Sequence, residues 1–336
     1  MSIKLDNAAR ERARTGIIVL AVGLLAAMLF VPDSVLAQTY PGKVVRIVVP
    51  YPPGGSNDVL ARHLAQKLSP GLGQNVIVDN RAGASGAIGA DHVAKSAPDG
   101  YTLLFNSASF ACSAAAEPKL PFDTERDFAA VAGTGVGPML LTVHPSLPVK
   151  NVKELIQLAR SRPGALNYSS SGTAGVNHLA TEMFRHMAKI SIVHVPYKGM
   201  SPAITDLIGG QVQLLITTFP SIGTQVKAGR VKALAVTSPA RSQFAPELPT
   251  VGESGVPGYE AEIWWGLFAP AGTPKPIVDR LNGEVRKILE TADMKEKLAR
   301  EGADPLIQTP EQFDKTLRSS VAMWRRVVKD ANIKLD

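Results

Sequence analysis

The residues able to do chemistry fall in two short stretches. Residues 166–184, LNYSSSGTAGVNHLATEMF, set Ser169, Ser170, Ser171, Gly172 and Thr173 between a strand-like start and a helix carrying His178. A serine with a histidine nearby suggests a nucleophile and its general base, here Ser170 and His178. SSSGT lacks the G-x-S-x-G elbow that would expose such a serine, and a histidine at a helix start more often caps or packs. The second stretch, residues 44–58, reads VVRIVVPYPPGGSND. An apolar run breaks at three prolines and two glycines, then enters a helix. Proline fixes the entry to this loop, and Gly54 and Gly55 leave bare backbone that a ligand can approach.

Helix starts of this kind present unpaired N–H groups and partial positive charge, which suits a carboxylate or phosphate. The competing reading is local: Ser56 and Thr173 would only cap their own helices. Each loop alone favours capping, whereas two such loops, one per lobe, favour a clamp on one anion. Asp58 complicates the clamp, because a carboxylate in the first helical turn would repel an anion beside it. It is expected to turn back and bond the loop backbone. The six histidines form no H-E-x-x-H or comparable spacing, so no metal site is expected. RAGASGAIGADH lacks a fitting G-x-G-x-x-G, and Asp91 and Asp99 lie too close behind it for a ribose contact. No cofactor is expected.

The elements that would position these loops alternate. Apolar strand-like runs at residues 44–49, 76–78, 101–105, 139–143, 192–195, 213–217, 231–236 and 263–268 are separated by amphipathic stretches such as DVLARHLAQKL and NVKELIQLAR. Unalternating strands between helices predict α/β architecture with mostly parallel sheets covered on both faces. From Pro274 onward the pattern is helical and must pack on a sheet formed earlier. Two glycine-rich stretches, AVAGTGVGPMLLTV (130–143) and VGESGVPGYE (251–260), read equally as crossovers between lobes or as ordinary loops. Trp264 and Trp265 are expected in strand core on one face and in interlobe or surface packing on the other.

The chain has 336 residues and a formal charge of +7. That balance helps attract anions, but basic residues are not clustered among aromatics, which leaves nucleic-acid binding unsupported. Four basic residues precede fifteen uncharged ones, IIVLAVGLLAAMLFV, and then PDSVLA. This order predicts a signal peptide over residues 1–37, cleaved after Ala37, and export. The run is shorter than a membrane span. Cys112 is the only cysteine, so no internal disulfide forms, and it is expected as a small core residue.

The blocks VRIVVPYPPGGSNDVLAR, LGQNVIVDNRAGASGAIGADHVAKSAPDGYTLL, YSSSGTAGVNHLATEMF, HVPYKGMSPAITDLIGGQVQ and WWGLFAPAGTPKPIVDRLN occur in this order along nearly the whole chain. In this the chain resembles the Bug-type substrate-binding proteins of tripartite tricarboxylate transporters. The resemblance implies a two-lobed periplasmic binding protein type II fold with a strand hinge. Lobe 1 would comprise residues 38–138 and 260–336, and lobe 2 residues 139–259. It also implies a monomer without cofactor or catalysis that captures a small carboxylate and delivers it to membrane transporter subunits, or to a sensor. Carried over by position, its ligand-binding residues are Tyr51, Gly54, Gly55, Ser56 and Asp58 with Ser107 and Ser109. In the second lobe they are Ser169, Ser170, Ser171, Gly172 and Thr173 with His178. Gln213 and Thr217–Thr218 depart from the family pattern, which often has acids there, and Tyr51 replaces a frequent phenylalanine. The alternative is an exported serine hydrolase using Ser170 and His178.

Overall fold

Residues 40–117 and 119–333 are described by a computed structural model; the expected signal peptide lies outside them. Strand β1 (Val45–Val49) pairs in parallel with β2 (Val76–Asn80) on one side and β3 (Thr102–Ser107) on the other. Helix α1 (Ser56–Leu72) connects β1 to β2, and α2 (Ala87–Ala94) connects β2 to β3. Helix α3 (Ala108–Ala116) follows β3 directly. Burial explains the apolar runs: Val45, Ile47, Leu103 and Phe105 are fully enclosed, as expected of parallel strands covered on both faces.

The second sheet repeats this plan. Strand β5 (Asn167–Ser170) pairs in parallel with β6 (Val193–Pro196) and with β7 (Leu214–Thr218). Helices α4 (Val152–Ser161), α5 (Val176–Ala188), α6 (Met200–Ile208) and α7 (Phe219–Lys227) are interleaved with these strands. A core of Leu140, Ile204, Leu207, Leu215, Ile222 and Val236 lies beneath them. β5 was not among the anticipated strand runs; its sequence NYSS is polar, yet Tyr168 and both serines are buried.

Two long antiparallel strands join the sheets. Strand β4 (Phe128–Val143) pairs with β9 (Glu262–Pro270) from Phe128 to Pro138. From Met139 to Val143 it pairs instead with β7 and with β8 (Lys232–Val236). Parallel pairing therefore holds within β1–β3 and within β5–β7 and gives way to antiparallel pairing wherever β4, β8 or β9 takes part. The glycines of residues 130–143 are not in a loop. They lie inside β4, with register shifts between Ala130 and Ala132 and between Gly133 and Gly135. Their role is close approach: a Cβ on Gly137 would meet the Gly302 carbonyl at 2.7 Å, and one on Gly133 the Leu306 carbonyl at 2.9 Å. A strap from Gly302 to Leu306 lies there, and Val136 and Asp304 exchange backbone bonds of 2.9 and 2.8 Å.

The C-terminal helices α8 (Lys275–Glu290), α9 (Ala292–Arg300) and α10 (Pro310–Asp330) pack on the first sheet. Phe313 of α10 meets Trp264 and Phe268 of β9. Both tryptophans are buried. Trp264 donates to Ser320 at 2.9 Å, and Trp265 donates to Ser56 at 3.2 Å, which ties β9 to the first loop. Cys112 is fully buried.

Candidate functional site

The two candidate loops share one local path. Helix α1 is capped by Gly55 and α5 by Gly175, both extended, and neither cap position contributes a side chain. The preceding residue is in the left-handed region in each case, Gly54 at φ 92° and Ala174 at φ 59°. Each helix then places an asparagine second, Asn57 or Asn177. The third residue reaches back four positions: Asp58 accepts from the Gly54 amide at 3.1 Å, and His178 Nδ1 from the Ala174 amide at 3.2 Å. These back-bonds hold the loops in shape without covering the first helical amides.

Those first amides are covered from the opposite lobe. The Val176 amide donates to Ser109 Oγ at 3.1 Å, and the Ser56 amide donates to Ser221 Oγ at 3.2 Å. Ser109 stands at the start of α3, just beyond β3, and Ser221 at the start of α7, just beyond β7. Each lobe thus supplies a hydroxyl to the other lobe's uncapped helix. Ser56 and Thr173 do not cap their own helices.

Between the loops is a cavity of about 30 Å³, room for about one water molecule. Tyr51, Gly55, Ser56 and Asp58 line it from the first loop, Ser107 and Ser109 from the end of β3, and Ser171 from the second loop. Gly54, Ser169, Ser170, Gly172, Thr173 and His178 stand outside the lining. Gly54 and Gly172 instead hold the loop backbones at φ 92° and 144°. Ser169 turns under α6, donating to the Ala203 carbonyl at 3.4 Å.

Ser170 and His178 do not form a nucleophile–base pair. The Ser170 hydroxyl is buried, donates to the Gly172 carbonyl at 2.9 Å and lies 2.7 Å from Nε2 of a different histidine, His194. His178 stacks on His194 with ring centres 4.0 Å apart and has given Nδ1 to the loop. Burial pushes the pKa of His178 down. That of His194 falls to about 4 through burial and the neighbouring His178. Both rings brace the second loop from behind.

The cavity lining contains no cationic side chain. Its one carboxylate is already engaged. Burial alone would raise the Asp58 pKa, but hydrogen bonds from Arg62, Asn80 and Gly54 outweigh it and hold it below the usual carboxylate range. Arg62 Nη2 lies 2.9 Å from Asp58 Oδ1. Burial pushes the Tyr51 phenol well above its ordinary pKa, so it stays neutral beside Ser109. What remains facing the cavity is two helix starts with their partial positive charge, hydroxyls and amides. Such an arrangement is suited to an anion.

Sequence reasoning missed Asn57, Asn177 and Ser221, all in the lining with Met200 and Ile263. The asparagines carried a usable signal, since G-x-N recurs in GGSND and AGVNH. Ser221 carried none. No group of three or more potential metal ligands occurs among the described residues, and no described helix is long and apolar enough to cross a membrane.

Comparison with known proteins gives the arrangement its context. The model of the tripartite tricarboxylate transporter family receptor matches residues 60–333. BugT of Bordetella pertussis is 37% identical over 316 residues, covering 94% of this chain and 97% of that protein. Among solved structures, R. palustris Rpa4515 with adipate is similar at 39% identity and a TM-score of 0.86, covering 88% of this chain and 99% of that one. MatC from Rhodopseudomonas palustris with bound malate is similar at 31% identity and a TM-score of 0.82, covering 86% and 100%.

Proposed function

The chain belongs to the tripartite tricarboxylate transporter receptor family, and on that premise we propose that it captures a small carboxylate between its lobes. The observation that carries this reading is the opposed pair of helix starts, α1 and α5, with no side chain of their own at the cap. A carboxylate oxygen is a stronger acceptor for such amides than a serine hydroxyl. Ligand would therefore replace Ser221 at the Ser56 amide and Ser109 at the Val176 amide. The cavity of about 30 Å³ is too small for a dicarboxylate, so the lobes must part for entry. Similar proteins with adipate and with malate support the ligand class.

We infer that the moving bodies are two lobes divided near residues 138 and 260, turning about β4 and β9. The receptor is exported to the periplasm, acts as a monomer, catalyses nothing and hands its ligand to membrane transporter subunits. Titration calorimetry against mono-, di- and tricarboxylates tests this. One ligand should bind at one-to-one stoichiometry and be recovered unchanged after denaturation. Turnover of an ester or amide that is lost in Ser170→Ala would instead revive the hydrolase.

A further inference from the structure

The stretch RAGASGAIGADH, which lacks a dinucleotide fingerprint, opens with a strained turn. Gly83, Ala84, Ser85 and Gly86 follow one another at φ 135°, 46°, 51° and 101°. Glycine adopts positive φ freely, whereas a residue with a Cβ is strained there. The outer two positions are glycine and the inner two are not, so the turn keeps side chains where glycine would be easier. Strain of this kind persists only where the surroundings hold it. Gly86 lies on Tyr51, where a Cβ would stand 3.1 Å from the ring, and Ile88 covers Gly83. The Gly86 amide closes the turn on the Gly83 carbonyl at 3.0 Å.

What the strain delivers is a contact across the cleft. The turn lies between β2 and α2 of the first sheet, and Ser85 abuts Gly172 of the second loop. A Cβ on Gly172 would stand 2.8 Å from Ser85 Oγ and 3.5 Å from Ser85 Cβ. The contact is one of shape, a hydroxymethyl group against a glycine. Elsewhere on the seam a hydrogen bond runs from Ser201 Oγ to the Pro53 carbonyl at 3.1 Å. Tyr51 beneath the turn and Ser171 beside Gly172 line the cavity, while Ser85 itself stands outside the lining. Resting on the carboxylate reading above, we propose that Ser85 is the gate of the cleft. Its side chain plugs the seam against Gly172, so that a bound anion leaves only when the lobes part. A plug that does not touch the ligand changes the path and not the end states. Removing it therefore speeds entry and exit together and leaves the affinity where it was.

The test is stopped-flow tryptophan fluorescence on the full chain with adipate, L-malate, succinate and citrate, beside thermal melting. Ser85→Gly removes the plug and the strain together. For the tightest binder, its association and dissociation rates should both rise about fivefold or more, with the dissociation constant within about twofold of wild type. Its melting temperature should be no lower, because glycine takes the left-handed conformation without strain. Ser85→Ala keeps the Cβ and should leave both rates within about twofold of wild type. Unchanged rates in Ser85→Gly would overturn the inference and leave the turn a matter of fold stability. Faster dissociation with unchanged association would also overturn it, since that marks a contact holding the bound state. Binding by none of the four acids would remove the carboxylate reading, and the gate with it, a result distinct from the other two.

Discussion

Ser109 Oγ accepts the amide of Val176 at 3.1 Å across the cleft, so a residue of the first lobe completes the start of a helix in the second. Ser221 does the reverse for Ser56 at 3.2 Å. The two bonds join the lobes at the positions where each helix start is most in need of an acceptor. On the carboxylate reading proposed above, ligand and lobe contact would compete for the same two amides.

The first prediction concerns closure. Ser109→Ala with Ser221→Ala should weaken the closed form by about 1 kcal/mol per lost bond. Small-angle scattering of the ligand-free double variant should give a larger radius of gyration than the wild type. An unchanged radius would show that these hydroxyls do not hold the lobes together.

Gly54 and Gly55 should respond differently to a side chain. Gly55 is extended at φ −87°, and a Cβ there would make an ordinary 3.7 Å contact with Met200. Gly54 is the constrained one, at φ 92° with a Cβ only 2.9 Å from Ser201 Oγ. Gly54→Ala should cost about 1–2 kcal/mol in denaturant unfolding, and Gly55→Ala less than half of that. The opposite ranking would mean that the loop path is misassigned.

The strap over β4 gives a third expectation. Gly137→Ala forces a methyl to within 2.7 Å of the Gly302 carbonyl, and overpacking against backbone costs about 1–3 kcal/mol. Gly283→Ala, inside α8 with open space around the new methyl, should stabilise by about 0.5–1 kcal/mol. Thermal melts of the two variants should shift in opposite directions. A Gly137→Ala protein as stable as wild type would show that the strap yields easily.

The stacked histidines predict a pH effect. His194 is held to about 4 by burial and by His178, against the pull of Glu182, and it also faces Tyr168. In the unfolded chain it takes up its proton near 6.5. Between these values the unfolded state binds more protons, so this contribution is fully present above about pH 6.5 and is lost as pH falls toward 4. The depressed His178 acts in the same direction. Denaturation midpoints measured from pH 7 to pH 4 should fall, and less steeply in His194→Gln. An equal slope in the variant would remove the stack from the account.

Much of the architecture was legible because strands covered on both faces leave apolar runs, and the eight runs fall on β1–β4 and β6–β9 whether the pairing is parallel or antiparallel. Polar NYSS hid β5, whose burial comes from α6 packing over it rather than from its own hydrophobicity. The glycines of β4 left a crossover and an ordinary loop equally open; they lie in a strand that crosses between the sheets, where they admit a strap about 165 residues further along. At the site, the two small-residue loops were visible as strand-to-helix junctions. The hydroxyls that complete them were not, since Ser109 is 67 residues from Val176 and Ser221 is 165 from Ser56. Ser170 and His178 looked like partners by proximity in sequence, yet the ring beside Ser170 comes from His194 on the neighbouring strand.

The most direct test of the account is the melting temperature of the protein with a panel of carboxylates, each measured beside its uncharged amide. A ligand that binds only the folded state raises the melting point by mass action, and helix-start amides favour the ionised acid. At least one carboxylate should raise the melting temperature while its amide leaves it unchanged. If no carboxylate shifts it, or if acid and amide shift it equally, the opposed helix starts of α1 and α5 are not an anion clamp.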